Sequence, residues 1–62
     1  MQQEMTLAQR DIRWFYWRMG QAGHEKPSSI DAQAFAERVA IMMADAGLAE
    51  EQARFEAIQP YL

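Results

Sequence analysis

Guanidinium and indole groups recur at helical spacing near the start of this chain. Arg10, Arg13, Trp14, Trp17 and Arg18 follow one another at i, i+3, i+4, i+7 and i+8, with Leu7 about one turn before them, so a helix here gathers all six toward one side. The chemistry open to such a set is recognition. Trp and Arg bury large areas with few rotatable bonds, keep a polar handle, and are enriched among the residues that dominate protein–protein binding. Leu7, Arg10, Arg13, Trp14, Trp17 and Arg18 are therefore the candidate protein-binding residues. A guanidinium also stacks on an indole, so the same side chains can instead cover one another or lie against the C-terminal Pro60-Tyr61-Leu62 of their own chain.

Covalent and acid–base chemistry finds less material. A nucleophile needs a base within reach, and the single histidine, His24, lies in a connector between Gly23 and Pro27. Ser28 and Ser29 read as turn and cap residues, and Glu50 and Glu51 are adjacent on a helix, where neighbouring side chains diverge. The sequence holds no glycine-rich phosphate loop and no cofactor fingerprint. It has no cysteine for a disulfide or a thiolate metal site, and one histidine does not supply zinc-ligand spacing. No enzymatic activity, cofactor or metal is expected.

Charge narrows the partners. The net charge of −3 argues against a generic nucleic-acid binder, which needs a basic footprint. Residues 1–31 balance Arg10, Arg13, Arg18 and Lys26 against Glu4, Asp11, Glu25 and Asp31, so the deficit lies in residues 32–62, where Glu37, Asp45, Glu50, Glu51 and Glu56 face Arg38 and Arg54. The first helix is the locally basic element. The alternative reading, a nucleic-acid-binding regulator, would set its arginines on phosphates and a tryptophan on a base. A divergent helix-turn-helix around Ala46-Gly47-Leu48 is its other form, but Glu50 and Glu51 would then meet phosphates repulsively. No apolar run approaches the ~20 residues that span a bilayer, and MQQEM lacks the basic and apolar regions of a signal peptide. With no cysteine in use, the expectation is a soluble, cytoplasmic protein without a membrane role.

The elements that must position these residues are helices. Thr6 and Gln9 have capping-box spacing and open a helix of about 7–20, which Gly20 and Gly23 close. After the turn-rich GHEKPSS, either Ser28 or Asp31 can cap the second helix. Asp31 is preferred, because Ile30 and Phe35 then form a hydrophobic staple, giving a helix of about 32–46 with Gly47 as its left-handed cap. A third helix of about 49–59 carries Glu50 and Arg54 at i,i+4 and stops at Pro60. The fold class is all-α, a small three-helix bundle in a single domain, 1–62.

On a wheel of about 100° per residue with Phe15 at zero, Ala8, Met19, Ile12 and Tyr16 fall at about 20°, 40°, 60° and 100° and form a core stripe. Trp17, Trp14 and Leu7 fall at about 200°, 260° and 280°, largely opposite it, among Arg13, Arg10 and Arg18 at about 160°, 220° and 300°. Helix 2 offers Phe35, Val39, Met42, Met43 and Ala46 beside the small Ala32, Ala36 and Ala40, while helix 3 offers Leu48, Phe55, Ile58 and Leu62. The methionines are expected to fill gaps in a small core. A domain of about 60 residues buries only ~60% of its unfolded surface, and two short helices cannot cover helix 1 all round. The expectation is self-association as a homodimer, or engagement of a larger protein partner as an accessory regulator, adaptor or inhibitor.

Overall fold

The computed structural model describes residues 5–62. The reading of the first residues as lacking a signal peptide therefore falls, for residues 1–4, outside those described. Among the described residues there are three α-helices, α1 (Leu7–Gln21), α2 (Ser29–Ala46) and α3 (Glu50–Ile58), followed by a 3-10 turn at Gln59–Tyr61. None of them is long and apolar enough to cross a membrane.

Local chemistry sets the helix ends. The Thr6 hydroxyl accepts the Gln9 N–H at 3.1 Å, and the Gln9 side chain accepts the Thr6 N–H at 2.9 Å, so the capping box of α1 is complete. At its far end the His24 N–H reaches back to the Met19 carbonyl across Gly23, whose φ of 84° is the left-handed conformation that glycine adopts without strain. α2 begins earlier than the sequence reading had it. Ser28, not Asp31, is the cap: its Oγ accepts the Asp31 N–H at 3.1 Å, and Asp31 takes a first-turn position where its charge favours the helix dipole. Ile30 is consequently inside the helix and 78% exposed, and it forms no staple with the buried Phe35. Gly47 ends α2 at φ 68°, with the Leu48 N–H returning to the Met42 carbonyl.

The core is a short aromatic stack lined by alanines. Phe15 stacks on Phe35 at 4.5 Å between ring centroids and receives Tyr61 edge-on at 5.0 Å. Met19, Ala32, Val39, Ala53, Ala57 and Ile58 complete the buried cluster, with Ile12, Tyr16, Met42 and Met43 packed against it. Ala8, Ala40 and Ala46, assigned to the interior from the wheel, are exposed. The line read for α3 also needs correction, since Phe55 is 61% exposed and Leu62 45% exposed. Ala53 and Ala57 occupy the inward side instead, where small side chains allow the backbones to approach, and Phe55 lies about 160° around the helix from both.

Pairing fixes the relative directions. Arg10 meets Glu50, Asp11 meets Arg54 and Phe15 meets Tyr61 of the 3-10 turn, so residue numbers rise together along α1 and the C-terminal segment. α2 packs against both α1 and α3.

Phe15→Ala should unfold or severely destabilise the domain, because truncating a buried Phe costs about 3–5 kcal/mol and a domain of this size has little more than that to lose. Trp17→Ala, at a residue 56% exposed, should leave the helical signal and melting temperature close to wild type. Circular dichroism melts showing equal damage from the two would place Trp17 in the same core as Phe15.

Candidate functional site

The two tryptophans of α1 have different surroundings. Trp14 is half-buried, lies on Phe35 at 5.8 Å with only 18° between the ring planes, and carries the Arg54 guanidinium over its ring at 5.6 Å. It is an internal residue, and its expected place opposite the core is corrected accordingly. Trp17 is 56% exposed, and among the described residues no second ring and no guanidinium lies on it.

A polar cluster decides which side of α1 meets α3. Asp11 stands at about 320° on the wheel, between Phe15 at zero and Trp14 at about 260°, and it is 1% exposed. Its Oδ1 accepts the Nε–H of Arg54 at 2.8 Å, while Nη2 of the same guanidinium donates to Glu50 Oε2 at 2.8 Å. The other oxygen of Glu50 accepts from Nη2 of Arg10. Two carboxylates thus share one guanidinium, and Asp11 Oδ2 is buried with no hydrogen-bond donor. Burial pushes the Asp11 carboxyl above its ordinary value and the neighbouring Glu50 carboxylate adds to this, against the pull of Arg54. For Glu50, burial also raises the value, but the neighbouring Asp11 carboxyl, which keeps its proton more readily, and the guanidiniums of Arg54 and Arg10 together hold it below the ordinary range.

The six candidate residues are therefore divided. Arg10 spans α1 and α3 at the rim, its side chain half exposed, and Leu7, 40% exposed, stands next to it on the wheel. Arg18 is half-buried. Arg13 is exposed, with Nη1 donating to the Met5 sulfur at 3.3 Å. Trp17, Arg13 and Arg10, at about 200°, 160° and 220°, form the outward ridge of α1.

On α3 a shallow depression of about 470 Å³ is lined by Ala49, Glu51, Gln52 and Phe55. A second, of about 360 Å³ on the outer side of α2, is lined by Ser29, Ile30, Gln33, Ala34 and Glu37. Asp11 and the Glu51 depression were not singled out from sequence, and Phe55 was read as part of the core rather than as a surface residue. The signal for Asp11 was there, as an acid placed inside an apolar stripe. His24 is exposed in the connector, and among the described residues no three His, Asp or Glu side chains are placed to hold a metal ion. No protein-family model, curated protein or solved structure matches the chain.

The cluster makes stability depend on pH in two opposed ways. Asp11 holds its proton more tightly folded than unfolded, so its contribution is full below the ordinary carboxyl range and is lost as pH rises through its raised folded value. Glu50 contributes above that range and loses its contribution as pH falls through its lowered value. Asp11→Asn keeps an acceptor for Arg54, adds an amide donor beside Glu50, and removes the first dependence while leaving the second. Urea unfolding should place it within about 1 kcal/mol of wild type near neutrality and show it gaining on wild type as pH rises from about 3 to 7. Asp11→Ala, which strips Arg54 of its Nε partner, should cost about 1–3 kcal/mol. An Asn variant that loses ground with rising pH would contradict the assigned direction for Asp11.

Proposed function

We propose that this chain is a non-enzymatic protein-binding module, an accessory regulator, adaptor or inhibitor, that engages another protein chain through the outer ridge of α1. The carrying observation is Trp17, 56% exposed, with Arg13 one turn before it and a bare helix flank after it. Gly20 supplies that bare flank. Gly20 is the penultimate residue of α1, and a Cβ built there meets nothing within 4 Å, so packing does not call for glycine at this position. Its absence of a side chain leaves one side of the indole open to an approaching surface. Leu7, Arg10 and Arg13 extend the contact along the ridge, and Arg18 borders it. Trp14 supports the ridge from beneath through Phe35 and Arg54.

Affinity capture from the source cell, comparing wild type with Trp17→Ala by mass spectrometry, tests this reading. A specific protein retained by the wild type and lost by the variant is expected. Arg→Lys at positions 10, 13 and 18 should weaken its capture although charge is kept, because stacking and bidentate contacts need the planar guanidinium. A gel shift with DNA at physiological salt that survives triple Arg→Lys and disappears in triple Arg→Ala would instead make the arginines phosphate clamps and the chain a nucleic-acid binder.

A further inference from the structure

Two surfaces of opposite charge and like shape look out of the same side of the molecule. On α1, Asp11 and Trp14 mark the flank that meets α3, and Arg10, Trp17 and Arg13 follow within about a quarter turn of it, away from α2. On α3, Arg54 marks the flank that meets α1, and with it at zero Glu51 and Phe55 fall at about 60° and 100°, again about a quarter turn beyond and away from α2. One side of the bundle therefore shows a basic aromatic ridge, Arg13 and Trp17, next to an acidic aromatic one, Glu51 and Phe55, with the Arg10–Glu50 pair between them. Trp17 and Phe55 are among its most exposed apolar side chains, at 56% and 61%. The α3 ridge is concave, through the depression of Ala49, Glu51, Gln52 and Phe55.

A surface with both halves of a complementary pair side by side can pair with itself about a twofold axis. Resting on the reading that the α1 ridge binds protein, we infer that its occupant is a second copy of the chain, with Trp17 and Arg13 of each copy against Phe55 and Glu51 of the other. Charge selects the direction of the axis. An axis across the helices would lay α1 on α1 and bring Arg10 and Arg13 against the same arginines of the other copy, which repel. An axis along the helices lays α1 on α3, basic on acidic, at both ends of the interface. Because the contacts from α1 to the C-terminal segment rise together in residue number, Arg13 and Trp17 then face Glu51 and Phe55 across a gap that long side chains bridge. Each copy gives one exposed aromatic and receives one, so no ridge is left over and the assembly closes at two.

The test is a charge exchange followed by sedimentation velocity. Wild type should sediment as a dimer at micromolar concentration, whereas Arg13→Glu and Glu51→Lys should each raise the dissociation constant at least tenfold with unchanged circular dichroism, since both positions are exposed. An equimolar mixture of the two variants should regain wild-type association, because each contact of the mixed dimer again joins opposite charges. A wild-type monomer of 7.2 kDa at several hundred micromolar overturns the inference, as do unweakened single variants or a mixture that stays dissociated. Should either charge variant lose helical signal, Phe55→Ala carries the same test, and an unchanged dissociation constant there also overturns it. A monomeric wild type that still captures a different protein through Trp17 sinks the dimer and leaves the protein-binding reading standing. The DNA shift described above would sink both.

Discussion

Arg54 is the residue on which the closure of this bundle depends. α3 is nine residues long and its buried side chains are Ala53, Ala57 and Ile58, so it brings little apolar area of its own, and a helix of that length has no independent stability in water. One guanidinium compensates. Its Nε holds Asp11 and its Nη2 holds Glu50, while its guanidinium lies over Trp14, which also stacks on Phe35 of α2. A single side chain thus links all three helices. The planar fork is what permits this, because an ammonium is a point charge without a rigid edge to offer two carboxylates at once.

The same contact supplies what an alanine face lacks. A ridge of small side chains packs closely but discriminates weakly between neighbouring rotations and registers, since few atoms interlock. The buried Asp11 oxygen is matched to Arg54 at one rotation and one register of α3, and any slip leaves a carboxylate out of water without its partner, at a cost of several kcal/mol. Burial of an acid is unfavourable in itself. It is tolerable here because the raised proton affinity of Asp11 and the lowered one of Glu50 let the pair share charge between them, with Arg10 completing the neutralisation at the rim.

What could be read from sequence followed the range of the interactions involved. The capping box at Thr6 and Gln9 and the glycine cap at Gly47 are local, and both stand where the residues place them. Phe15, Met19, Phe35 and Val39 were legible from the 3.6 period over long helices. The start of α2 was not, because Ser28 and Asp31 are both competent caps, and the staple that favoured Asp31 weighed Ile30 as a core residue when it is an exposed one. Phe55 was misplaced for a related reason: nine residues hold too few turns for periodicity to outvote hydrophobicity, and the inward side went to two alanines. Asp11 was passed over because a charge counts as surface until its partner is known, and that partner lies 43 residues away. The guanidinium that draws Trp14 inward is the same distant residue, which is why the two tryptophans looked alike on the wheel.

Trp14 and Trp17 share a helix and are separated by under one turn, yet only the first is needed by the fold. Phe15, Phe35 and Val39 are fully buried without any contribution from Trp17, so its exposure is not the leftover of an unfinished core. A helix surface position is better served by Ala, Glu or Lys, which have higher helical propensity and no apolar area to leave in water. Gly20, one turn further on, sits in the last turn of α1 with open space where a Cβ would stand. An exposed indole beside a bare glycine in the last turn of α1 is the feature on which the proposed contact with another chain rests. In the proposed contact the indole would enter a depression and the missing Cβ would let the opposing surface come close. The depression on α3, lined by an exposed Phe and a Glu, is the surface proposed to receive it.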